Sequence, residues 1–260
     1  MMRFIPFIYS FLLLISCSQE EYKSVDVSMI AHAGGLVNGA TMTNSMEAIN
    51  SARDNGFKFI ELDLSFTSDS ALVALHNWPE YNRAMNMPER GDAPLSLEEF
   101  MDKGLPGGFT PLTSTEINDF FLKNEGLFFV TDKISDVEVL NKFFPRLRHR
   151  MVVEAFSYDD YVALLNNGYK CAMYSCMAED IVPATLKHLL FHYIFAGPKI
   201  EMVALHTSAF EYSYLKLLRV FSDFDIALFT INNSYEIPAD CIDKIKFIYT
   251  DSLRPSDSAW

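Results

Sequence analysis

Hydrophobic positions along the chain fall into short runs separated by polar or amphipathic stretches. The strand-like runs are VSMIA (27–31), FKFIELDL (57–64), LVALH (72–76), LFFVT (127–131), MVVEAF (151–156), KCAMYS (170–175), EMVALH (201–206), DIALFTI (225–231) and KFIYT (246–250). Between many of them the spacing predicts helices over Ser45–Asn55, Ser114–Lys123, Asp136–Phe144, Tyr158–Asn167, Asp180–Phe191 and Phe210–Phe221. Strand followed by helix, repeated, implies a parallel sheet with right-handed crossovers. At 260 residues the first solution is an α/β fold of the (β/α)8 TIM barrel type, and a doubly wound sheet is the second. Nine runs are one more than a barrel needs. The link Ser65–Ala71 between FKFIELDL and LVALH is too short for a crossover helix, which predicts a local hairpin or a run outside the barrel. Asn86–Pro111, rich in proline and glycine, reads as a short insertion after the strand that ends in His76.

The N-terminus changes the domain picture. Arg3 precedes an apolar stretch, Phe4–Ile15, too short to span a bilayer, and the text then reads Leu14-Ile15-Ser16-Cys17. This resembles a bacterial lipoprotein signal, with residues 1–16 removed and Cys17 lipid-modified. Residues 17–26 would be a linker and residues 27–260 the barrel domain. The expected location is the bacterial cell envelope, periplasm or outer membrane, with the membrane touched through the lipid anchor only. Loss of Arg3 takes the formal charge from −13 to −14. Such an acidic chain has nothing to offset phosphate repulsion, so nucleic acid is excluded as a partner. No protein partner is implied. Cys171, Cys176 and Cys241 lack metal-knuckle spacing and are expected as buried thiols rather than a disulfide framework.

Chemistry-bearing residues stand where the apolar runs end. The first run ends in His32, the second in Glu61-Leu62-Asp63 and the third in His76, while LFFVT is followed by Asp132-Lys133. Barrels carry their chemistry at these C-terminal strand ends. Glu61 and Asp63 alternate to one side, about 6–7 Å apart along the strand. Two inward carboxylates repel each other unless a cation lies between them, and oxygen ligands favour Mg²⁺ or Ca²⁺ over Zn²⁺. Each feature alone has a structural explanation: a hydrogen-bonded histidine, a solvated strand edge, a glycine turn. Their order along the chain is what points to a site.

That order resembles the glycerophosphodiester phosphodiesterase family of phospholipase C-like barrel enzymes. AHAGG (31–35) is similar to the family's His-Arg-Gly opening, and TNSMEAINSARDNGFKFIELDLSFTSDSALVALHN (43–77) to its Glu-Asn-Thr helix, E-x-D strand and second histidine. VTDK (130–133), LFTINN (228–233) and IYTDSLRP (248–255) resemble later family signatures. The resemblance implies a metal-dependent phosphodiester hydrolase acting on a small-molecule glycerophosphodiester or related envelope phosphodiester. His32 and His76 would be acid and base. Glu61, Asp63 and Asp132 would hold a divalent cation (Mg or Ca), and Lys133 and Gly34 would meet the substrate. Two other readings keep the fold: an inactive barrel binding a polyol phosphate or glycan, and a lyase releasing a cyclic phosphate. The chain departs from the family pattern at Ala33 in place of the arginine, Thr43 in place of glutamate and Asn77 in place of aspartate. A further departure is the compression of Glu-x-Lys to Asp132-Lys133.

Overall fold

The computed structural model describes residues 27–169, 171–176, 200–207, 224–237 and 245–257. The signal and linker (1–26), Cys17 and the helices expected at Asp180–Phe191 and Phe210–Phe221 lie outside these residues. Eight parallel strands close on themselves: β1 (Ser28–Ala31), β2 (Phe59–Phe66), β4 (Phe128–Asp132), β5 (Met151–Ala155), β6 (Cys171–Cys176), β7 (Met202–His206), β8 (Asp225–Phe229) and β9 (Ile245–Thr250). The β1–β2 pairing, with Ile30 opposite Phe59, seals the ring. This is the (β/α)8 barrel expected from the strand order.

The ninth strand, β3 (Leu72–Ala74), is antiparallel to β2 and lies outside the ring. The seven-residue link dictates this, since a parallel return needs a crossover. β2 overshoots the barrel mouth, turns, and comes back with Leu64 opposite Ala74; the Leu75 N–H then donates to the Asp63 carbonyl at 3.0 Å. The hairpin thus returns His76 to the level of the β2 carboxylates, although its strand is not a barrel stave.

Helices α1 (Met46–Asp54), α4 (Ser114–Lys123), α5 (Val137–Phe143) and α6 (Tyr158–Asn166) cover the outside, each within a residue or so of its predicted span. Their starts are chemically marked. Ser45, Asp136 and Ser157 accept backbone N–H groups of the first turn, and Thr113 with Glu116 forms a capping box. Among the described residues no helix is long and apolar enough to cross a membrane.

Alternation along the staves divides the core. Ile60, Leu62 and Leu64 face the helices, and Phe59, Glu61 and Asp63 take the inward parity. Ile30, Val130, Val152, Met173, Ala204, Ala227 and Tyr249, one from each of seven staves, fill the barrel interior. Phe59, stacked on Phe128 and edge-on to Phe247, packs beside that layer.

The expected insertion is more ordered than a loop. After α2 (Trp78–Ala84), residues 86–111 carry α3 (Leu97–Lys103), capped by Ser96 and Glu99. Val73, Leu75, Trp78, Tyr81, Leu95, Phe100 and Leu105 form a separate small core under it. Cys171 corrects an expectation: it is exposed, because it opens β6 before the strand enters the packed interior.

Candidate active site

Glu61, Asp63 and Asp132 converge at the C-terminal mouth, with one carboxylate oxygen of each within 4.8 Å of the others. The register explains this. Asp63 pairs directly with Asp132 across β2 and β4, and Glu61 lies two residues back on the same face. Glu61 Oε2 accepts the Ala33 N–H at 2.6 Å, whereas Oε1 is buried with no hydrogen-bond partner among the described residues. Burial, then the charges of Asp63 and Asp132, push the Glu61 carboxyl well above its ordinary range. Asp63 is raised as well: burial and Asp132 outweigh the amide of Asn44. Three crowded carboxyls, of which Glu61 and Asp63 resist ionising and one oxygen is orphaned, fit a divalent cation by charge and by oxygen donor type.

Asn44 locks Asp63 at two points. Its amide donates to Asp63 Oδ2 at 2.9 Å, and its Oδ1 accepts the Asp63 N–H at 3.0 Å. Asn44 holds a left-handed backbone (φ 51°) immediately before the Ser45 cap of α1. The helix start therefore aims it at β2.

Lys133 lands in the site despite the compressed motif. A left-handed backbone (φ 71°) turns it back, so Nζ lies 2.9 Å from Asp132 and 3.7 Å from Asp63. Burial disfavours its charge, but the neighbouring carboxylates outweigh that and raise its pKa.

His32 opens the short 3-10 turn after β1, and its Nδ1 lies 2.8 Å from Asp251 Oδ1. Asn232 anchors that aspartate, donating to Oδ2 at 2.9 Å and accepting the Asp251 N–H at 2.8 Å. Burial would raise the Asp251 carboxyl, yet the bonds from His32 and Asn232 hold it below its usual value. The His32 ring meets Tyr249 edge to face at 6.0 Å. His76 has a comparable support: Nδ1 is 3.0 Å from Glu80 Oε2 and 2.7 Å from the Asn77 amide, while Asn77 caps α2. With both Nδ1 atoms engaged, Nε2 of each ring is the nitrogen left for chemistry.

Gly34 has a packing explanation. It is buried at φ 84°, and an added Cβ would meet the Ala48 Cβ at 2.6 Å, so α1 itself requires glycine here. Ala33 is fully buried in a left-handed conformation, and its contribution to the site is the backbone N–H held by Glu61.

Sequence reasoning assigned no role to Asn44, Asp251, Asn232, Glu154 or Tyr249, although Asp251 stands at the end of the KFIYT run and Asn44 is retained from the family motif. Asp251 and Asn232 stand in the LFTINN and IYTDSLRP segments, so a signal existed. Glu154, inward on β5, had none. It is buried, it accepts the Tyr249 hydroxyl at 2.5 Å, and burial and the Asp132 charge raise its carboxyl to about 8.

Residues 34–142, which include the acidic triad, His76 and Lys133, match the Glycerophosphoryl diester phosphodiesterase family. The match covers 109 of the 260 residues and makes the chain similar to a divergent member of this family. Its reaction class is accordingly that of a phosphoric diester hydrolase. Solved structures share the barrel fold at low identity. A glycerophosphodiester phosphodiesterase from Thermotoga maritima is 18% identical with a TM-score of 0.63, covering 86% of this chain and 94% of its own. One from Parabacteroides distasonis is 16% identical, TM-score 0.61, covering 88% and 94%. An Oleispira antarctica phosphodiesterase, solved in complex with the product sn-glycerol-3-phosphate, is 17% identical, TM-score 0.59, covering 86% and 92%. No curated protein matches the chain.

Proposed function

We propose that this protein hydrolyses a glycerophosphodiester or a closely related phosphodiester, with His32 and His76 as the acid–base pair and Glu61, Asp63 and Asp132 holding Mg²⁺ or Ca²⁺. The observation that carries the reading is the crowding of three carboxyls, one with an orphaned oxygen, between two carboxylate-supported histidines at one barrel mouth. When bound, the cation would neutralise non-bridging phosphate oxygens and lower the barrier to attack. One histidine accepts a proton from the attacking water and the other protonates the departing alkoxide. Asp251 and Glu80 orient the two rings through Nδ1. Lys133 supplies a positive charge beside the carboxylates, in a chain that lacks the family arginine at Ala33.

The resemblance of residues 1–17 to a lipoprotein signal supports attachment to the cell envelope through Cys17. Release of a Cys17→Ala variant into the soluble fraction is expected, and continued membrane association would contradict that location.

The catalytic reading is tested by following purified protein, Mg²⁺ or Ca²⁺ and sn-glycero-3-phosphocholine by phosphorus NMR. Conversion to sn-glycerol 3-phosphate is expected, with turnover lost in His32→Ala and His76→Ala. A cyclic phosphate as the end product would make the enzyme a lyase, and binding without turnover under either cation would make it a binding protein.

A further inference from the structure

A cavity of about 420 Å³ opens beside the catalytic mouth, between the 40–44 loop, α2 and the 105–109 turn. That is within the usual size of a small-molecule pocket. His76 and Asn44 belong to its wall, so it adjoins the site; His32 is not part of that wall. Met42, Leu75, Leu105 and Phe109 supply an apolar lining. Several polar groups along the wall are already spent. Thr43 Oγ1 pairs with Ser45 at 2.9 Å, the Asn44 amide with Asp63, and the Tyr81 hydroxyl with the Gly104 carbonyl at 2.9 Å. Asn77 and Glu80 serve His76. A polyol entering here would give up water and find few partners, a loss that an alkyl chain does not incur.

The geometry points to this cavity as the subsite for the leaving alcohol, and to an apolar alcohol, an alkyl chain, as its occupant. The inference rests on the phosphodiesterase reading and assigns directions within it. The water oxygen bonds to phosphorus as the phosphorus–oxygen bond to the alkyl group breaks. The water proton passes to His32, and His76 supplies the proton that completes the departing alcohol. The glycerol phosphate half remains at the carboxylate side.

The test compares kcat/KM for the methyl, butyl and octyl esters of sn-glycerol 3-phosphate and for sn-glycero-3-phosphocholine. Each methylene buried should raise kcat/KM by up to about fourfold, and the octyl ester should exceed the choline ester. Ala84→Phe, which places a ring from the end of α2 into the cavity, should collapse the octyl-to-methyl ratio towards one, with folding checked by its melting temperature. Equal turnover of the esters, preference for the choline ester, or an unchanged ratio in Ala84→Phe overturns the inference and leaves the phosphodiesterase reading intact. Calorimetry with the octyl and methyl phosphonate analogues, in which carbon replaces the leaving oxygen, separates the remaining case. Tighter octyl binding that Ala84→Phe removes, in a protein that cleaves none of the esters, supports an alkyl pocket and sinks the phosphodiesterase reading instead.

Discussion

Replacing Glu154 by Gln should make the protein more stable at alkaline pH, with an effect that grows with pH. Glu154 is buried inside the barrel, bonded to Tyr249 and Ser175, and its carboxyl titrates at about 8. In an unfolded chain a glutamate titrates near 4.3. Between these values the folded state keeps a proton that the unfolded state has released, so stability falls as pH rises through that window. The slope is about 1.4 kcal/mol per pH unit, or about 3 kcal/mol between pH 5 and 7.5. Glutamine keeps the shape and the acceptor for the Tyr249 hydroxyl but cannot ionise. Glu61 and Asp63, also raised by burial and mutual repulsion, give the wild type further slope of the same sign. They are present in both proteins and largely cancel in the difference. Urea denaturation at half-unit steps from pH 5 to 8.5, with EDTA present so that no cation offsets Asp132, measures that difference. It should lie near zero at pH 5 and widen to roughly 3 kcal/mol by pH 7.5. Parallel stability curves would refute the burial argument for Glu154.

Three other outcomes follow from the same geometry. Divalent cation binding should expel protons from the raised carboxyls of Glu61 and Asp63, so affinity should increase with pH. Calorimetry in two buffers of different ionisation heat would show the release, and buffer-independent heats would contradict it. Gly34→Ala should cost about 2–4 kcal/mol from its left-handed backbone and its clash with Ala48, whereas Gly39→Ala, with φ 80° and open space around it, should cost only about 1 kcal/mol; equal losses in thermal melts would remove the packing argument. Asp251→Asn should lower kcat by roughly a hundredfold with little change in melting temperature, because Nδ1 of His32 loses the carboxylate that orients it. Unchanged kcat would deny Asp251 that role.

The eight staves were legible because strands of a parallel barrel are buried on both faces and read as continuous apolar runs. The hairpin was legible from the length of the Ser65–Ala71 link alone. Among the described residues, the two α-helices that escaped are short: α2 opens at Trp78-Pro79 and α3 lies within a proline- and glycine-rich stretch, so turn signals masked both. In the site, Glu61, Asp63 and Asp132 could be placed because side-chain alternation and strand register are periodic. The entry of Lys133 depended on a left-handed residue that no periodicity reveals. His32 and Asp251 are 219 residues apart, joined only when β1 and β9 close the ring. Glu154 looked like one polar interruption in an apolar run, and only closure of the barrel turned it into a buried acid facing Tyr249.

The central claim is that the mouth of this barrel is a divalent-cation centre, and anomalous diffraction from crystals grown with Mn²⁺ tests it most directly. A peak within coordinating distance of Glu61, Asp63 and Asp132 is expected, accompanied by loss of the peak in Asp63→Asn. A mouth without manganese, with Glu61 and Asp63 hydrogen-bonded to each other as neutral acids, would contradict it.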